Sequence, residues 1–170
     1  KDFAVSLKGV QKERTISDTF DQKMSGGSLV NMMNLNLLVG SGGVLSHAPR
    51  RHQAMRMLID SFQPEGITEI AVDSIFMMPQ LGVLSEVHEE AALQVFQKDC
   101  LVMLGTCIAP VGFNLKKDQD LMSYSIKSDD DIYEGTLKFG KIIYLNLKKG
   151  SYEATLKPIK KIDISCGIGK

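Results

Sequence analysis

The chain contains no tryptophan, and its aromatic residues make up only 6% of 170 positions. Single-stranded nucleic-acid grooves need stacking aromatics set among clustered cations, and neither is present here. No apolar run approaches the length needed to cross a bilayer, and no signal peptide is evident, so no membrane role is expected. Cysteine is scarce: Cys100, Cys107 and Cys166 are odd in number, unevenly spaced and form no CxxC pair. That pattern argues against a disulfide framework and for a reducing, cytoplasmic setting. Cys107, within "GTCIAP", reads as a small buried residue before it reads as a reactive thiol. Net charge is zero, although residues 1–112 carry nine Lys and Arg against twelve Asp and Glu, and residues 113–170 carry eleven against eight. The asymmetry is too slight to mark an anionic polymer as partner.

Hydrophobic residues make up 44% of the chain, enough to build a packed core. The first residue is Lys1, and a helical pattern begins at once, so a piece of a longer protein is expected. Residues 2–16 place Phe3, Leu7 and Val10 on one helical face, and Asp21 to Ser28 read as a loop. Leu35, Leu37, Leu38 and Val39 then run into glycines, as a buried strand does on reaching a tight turn. A helix follows over residues 47–62, with Pro49 in its first turn and Met55, Leu58, Ile59 and Phe62 as its apolar stripe. "ITEIAV", residues 67–72, reads as a second strand, and "DSIFMMPQLGVLS" as loop. Ser85 is the expected N-cap of a helix through Leu104, with Glu89 and Glu90 near its positive end. Ala92, Leu93, Phe96, Cys100 and Met103 would face its core side.

The pattern changes after Val111. "LMSYSIK", "YEGTLKF", "KIIYLNL", "YEATLKPI" and "KIDISC" are short β-type runs separated by turn residues. The expected architecture is α/β over residues 1–112, then a small antiparallel β barrel or sandwich module over residues 113–170.

The segment richest in chemistry is "NLLVGSGGVLSHAPRR", residues 36–51. Glycines at 40, 42 and 43 remove the Cβ that would keep a ligand from the backbone. A helix after such a turn offers unpaired N–H groups to an anion or a ribose edge. Ser41 and Ser46 add hydroxyls, and Arg50 or Arg51 adds a cation for an adenine face or a phosphate. The same turn could exist only to let a helix pack closely on a sheet. The Lys-Ser/Thr of a P-loop is missing, and GSGGVL is not GxGxxG.

"LLVGSGGVLSHAPRRHQAMRMLIDSFQPEGITEIAVDSIFMMPQLGVLS" closely resembles the late region of the glutamate mutase L family, the accessory ATPase-like proteins of coenzyme-B12-dependent aminomutases. "KDFAVSLKGVQKERTIS", "CLVMLGTCIAPVG" and "DISCGIGK" carry the same likeness. The resemblance implies the second lobe of an actin/Hsp70/sugar-kinase ATPase fold. Gly40, Ser41, Gly42 and Gly43 would then touch adenosine, and Val44 and Leu45 would pack near the base. It also implies ATP with Mg2+ as cofactor, a cobalamin-dependent mutase subunit as partner and a reactivating role. The first phosphate loop and the metal-associated acids would lie upstream. No acid in this chain is assigned a catalytic role. A non-catalytic scaffold for the mutase and a fragment of a kinase of the same superfamily are the alternatives.

Other residues draw attention. Asp73 follows a strand, where it could meet ribose or a water-bridged metal, or cap the next turn. Among His47, His52 and His88, the first two are five apart, off a shared helical face, and no cysteine or carboxylate cluster completes a set, so no metal site is expected. Met32, Met33, Met77 and Met78 read as core filling or as an adaptable partner face. Lys116, Lys117, Lys148, Lys149, Lys160 and Lys161 read as a solvated surface or a dock for an acidic partner.

Overall fold

In the computed structural model, residues 31–129, 131–148, 150–165 and 167 are described. The expected helix over residues 2–16, the loop from Asp21 to Ser28, and Cys166 lie outside them. The chain divides into two compact units, one ending at Cys107 and the other beginning at Ile108.

In the first unit, strand β1 (Leu37–Gly40) pairs in parallel with β2 (Gly66–Asp73). Strand β3 (Leu101–Ala109), whose last two residues belong to the second unit, completes a three-stranded sheet in the order β1-β2-β3. The central strand is the most deeply set: Ile70, Ala71 and Val72 are buried, as are Thr68 and Asp73. The Thr68 hydroxyl donates to the Leu35 carbonyl at 2.8 Å, which satisfies a polar group that burial would otherwise penalise.

The helix expected over residues 47–62 is present from residue 51, and a further single-turn helix precedes it. Helix α1 (Gly43–Ser46) is one turn, and α2 (Arg51–Phe62) begins after Pro49 and not around it. The Gln53 side-chain oxygen accepts the Arg50 N–H at 3.1 Å, which closes the start of α2. Ala54 and Leu58 are its buried positions, and burying Leu58 is worth about 1.5–3 kcal/mol. The rest of the predicted stripe, Met55, Ile59 and Phe62, is half-buried.

Helix α3 (Met78–Val95) starts well before Ser85. Pro79 is tolerated in its first turn, where a missing N–H breaks no helical bond. Ser85 lies inside the helix, with its hydroxyl on the Gly82 carbonyl at 2.7 Å. Glu89 and Glu90 follow a break at His88, where a second helical segment begins, so they lie near its N-terminal end as expected. The backbone kinks at His88 (φ −149°, ψ 78°). A π-turn, Phe96–Cys100, ends the helical run. Residues 101–104, expected to be helical, are strand: a short apolar run does not tell a helix from a strand by periodicity. Ala92 and Cys100 are buried as expected, but Leu93 and Met103 are exposed at 51% and 50%, and Phe96 is half-buried.

The second unit contains β4 (Val111–Gly112), β5 (Asp120–Lys127), β6 (Ile132–Lys138), β7 (Glu153–Pro158) and β8 (Ile162–Asp163). Strands β5, β6 and β7 form an antiparallel sheet in the order β6-β5-β7, and β4 pairs antiparallel with β8. Leu121, Met122, Ile162 and Ile164 form its core, with Leu115, Leu137, Leu156 and Ile159 packed around them. Tyr124 lies over Gly135, where a Cβ would stand 2.5 Å from the phenol oxygen. "KIIYLNL" is not a strand, and Ile142 is 86% exposed. Strands β6 and β7 flank β5 on opposite sides, so this segment carries the chain from one edge of the sheet to the other. Among the described residues, no sheet closes on itself.

Candidate functional site

The glycine turn grows out of the end of β1. Gly40 is buried, and a Cβ there would meet Leu45 Cδ1 and Leu58 Cδ2, both at 2.8 Å. Only glycine lets α1 and α2 close against the strand tip at this point. Gly42 adopts φ 121° and ψ 154°, a conformation that side chains rarely take, and caps α1. Its missing Cβ would stand in open space, so the conformation and not crowding selects glycine. Gly43 begins α1 and has open space as well. The turn therefore combines a packing glycine with a conformational one.

Beside it lies a cavity of about 410 Å³, lined by Gly43, Val44, His47, Ala48, Pro49, Gln53 and Met57. It is a depression open to solvent, and one of similar volume, about 460 Å³, lies on the sheet of the second unit beside Tyr124 and Gly135. Val44, 74% exposed, joins Ala48, Pro49 and Met57 as the apolar part of the lining. His47 and Gln53 supply the polar groups. The Arg50 N–H occupies the Gln53 side-chain oxygen, which leaves that amide's NH2 as a donor.

The structure brings Gly43 and Val44 to this cavity and places Gly40, Ser41 and Gly42 in the turn leading to it. Arg50 is exposed at the N-cap of α2 and does not line the cavity. Arg51 donates to the Ser46 carbonyl at 3.3 Å.

Both serines point away from a ligand role. Ser41 Oγ donates to Asp73 Oδ2 at 3.1 Å, and Ser46 Oγ donates to the Asp73 carbonyl at 2.6 Å. Asp73, 0% exposed at the end of β2, also accepts from the backbone N–H of Met78 at 2.8 Å and of Ile75 at 3.4 Å. Burial pushes its carboxyl toward the neutral form. Hydrogen bonds from the Met78 and Met77 N–H groups, the Ser41 hydroxyl and the Ile75 N–H outweigh that and hold its pKa below the ordinary value. The capping role expected of Asp73 is thus present. Sequence reasoning missed its reach to Ser41. The signal was available in the parallel pairing: Gly40 lies opposite Val72, so the next residues, Ser41 and Asp73, fall side by side. The cavity residues contributed by α2, Gln53 and Met57, had no comparable signal.

Cys100 is buried behind Asp73, and its thiol is pushed up by burial and then by the charges of Asp73 and Asp99. The described residues hold no group of three His, Cys, Asp or Glu that could bind a metal. Among them, no helix is long and apolar enough to cross a membrane.

The glycine turn thus sits at the tip of a parallel strand and opens on a mostly apolar surface. A family model described as MutL protein matches residues 6–100, and the chain belongs to this family, that of glutamate mutase L. That membership makes it a glutamate mutase accessory protein. No curated protein and no solved structure matches the chain.

Proposed function

We propose that the chain contributes the adenosine-binding part of an ATP-dependent reactivating factor for a cobalamin-dependent mutase of the glutamate mutase type. The observation that carries this reading is the cavity of about 410 Å³ at the mouth of the glycine turn. Its apolar residues suit a purine face, and its polar ones suit the edge of a base or ribose. The backbone of Gly40, Ser41, Gly42 and Gly43 approaches the adenosine, and Val44 packs against the base. Arg50, next in the chain to the cavity-lining Pro49, is the cation we assign to the phosphates.

The donor set fits a nucleoside better than its metal. Mg2+ is held by carboxylates, phosphates and water, and among the described residues no group of three His, Cys, Asp or Glu comes together; we place the ion on another part of the ATPase fold. The fold that accommodates this is the second lobe of an actin-like ATPase, and we take the β-rich unit as its appended module. Nucleotide state would then select between conformations that bind the mutase differently, a coupling no larger than the difference in nucleotide affinity between them.

Calorimetric titration of the full-length protein with ATP and magnesium tests the reading. It predicts saturable binding that weakens when Val44→Glu puts a charge in the cavity. Wild-type protein without ATP affinity would leave the scaffold alternative in its place.

A further inference from the structure

One residue, through its carboxylate and its backbone carbonyl, ties together the segments that give the glycine turn its shape. The β1–β2 register sets Ser41 beside Asp73. The Asp73 carboxylate accepts from Ser41 at the front of the turn (3.1 Å) and from the first N–H of α3 at Met78 (2.8 Å). Its carbonyl accepts from Ser46 at the back of α1 (2.6 Å). Between those two serines stand Gly42 and Gly43, neither of which has a side chain to hold it.

Two physical facts make this link consequential. A one-turn helix such as α1 (Gly43–Ser46) cannot sustain itself, because nucleation costs more than its few hydrogen bonds return. A glycine at φ 121° has other conformations open to it at little cost. The turn therefore needs an external anchor, and a fully buried carboxylate with directed donors provides one.

We propose that Asp73 is a positioning residue that fixes the Gly40–Ser46 turn in a single shape before any ligand arrives. Ser41 and Ser46 commit their protons inward, so a ligand meets backbone and Val44, and Asp73 itself touches no ligand. The consequence for nucleotide affinity rests on the function proposed above; the anchoring does not. A residue that merely capped α3 would act through Met78 and leave Ser41 irrelevant.

Amide hydrogen exchange on the full-length protein distinguishes the two, using wild type, Asp73→Asn and Ser41→Ala. Exchange across residues 40–47 is expected to rise about tenfold in Ser41→Ala, the scale of one lost charge-assisted hydrogen bond, and by less in Asp73→Asn, whose amide oxygen can still accept from Ser41. Residues 51–62 and 67–72 should keep their protection. Unchanged exchange over residues 40–47 in Ser41→Ala would overturn the proposal, whatever Asp73→Asn does, and so would an equal loss of protection across all three regions. If Asp73→Asn does not fold, Ser41→Ala, which deletes one hydroxyl from an exposed residue, decides the matter alone. Affinity for a fluorescent ATP analogue, measured on the same samples, separates the two readings. A loosened turn with weaker binding supports both. A loosened turn with unchanged binding leaves Asp73 as the anchor and removes the nucleotide from this site.

Discussion

Ser41 and Asp73, 32 residues apart in the chain, meet through a 3.1 Å hydrogen bond that joins the tips of two parallel strands. Removing the carboxylate leaves the Ser41 hydroxyl and the N–H groups of Ile75 and Met78 without this acceptor. Asp73→Ala is therefore expected to cost about 2–4 kcal/mol of stability. Asp73→Asn, whose single remaining oxygen can accept from both Met78 and Ser41, should cost less. Urea unfolding of the two variants against wild type measures the difference. Equal losses would show that the remaining oxygen contributes nothing.

Stability should also carry the signature of this carboxylate in acid. The folded-state pKa of Asp73 is depressed, so its contribution is complete above the ordinary carboxylate value of about 4. It is lost as pH falls through the lower, folded value. The stability gap between wild type and Asp73→Asn should be constant from pH 7 to about pH 5, and should narrow only in stronger acid. A gap that is already closing at pH 6 would contradict the assignment.

The three glycines should respond differently to one added methyl. Gly42→Ala must hold a strained φ and should lose about 1–3 kcal/mol. Gly43→Ala meets nothing within 4 Å and sits in a helix, so it should be neutral or slightly stabilising. Gly40→Ala collides with Leu45 and Leu58 and should cost about 1–3 kcal/mol. Adding Leu58→Val to Gly40→Ala should relieve part of the collision, so the two changes together cost less than their sum. Thermal melts of the single and double variants read this out.

Cys100 should be a slow thiol. It is fully buried, and both burial and its acidic neighbours disfavour the thiolate. Half-buried Cys107 is raised by burial alone. Alkylation at pH 8, followed peptide by peptide, should modify Cys107 before Cys100 and reach both quickly only after unfolding. Rapid native labelling of Cys100 would contradict the packing of this unit.

The elements that were legible in the sequence were those with local chemistry. Apolar residues running into glycine gave β1, and "ITEIAV" gave β2. The turn-separated runs around Tyr124, Tyr133 and Leu156 gave three strands of the second unit. What was not legible depended on long-range pairing. Leu101–Ala109 reads equally well as a helix or a strand until β2 is present to pair with it. Helix α3 begins at Met78 in part because Asp73 receives its first N–H, a contact no window of sequence displays. "KIIYLNL" has strong strand propensity and yet forms none, because β7 took the free side of β5. In the site, residues 40–43 were visible as glycines, whereas Gln53 and Met57 joined them only through the path of α2.

The account stands or falls on whether a nucleotide occupies the cavity beside residues 43–57. Photolabelling of the full-length protein with an azido-adenine analogue of ATP, followed by peptide mapping, addresses this directly. The account predicts label within residues 43–57, suppressed by excess ATP and reduced by Val44→Glu. ATP-protected label confined to other peptides, with none in residues 43–57, would contradict it.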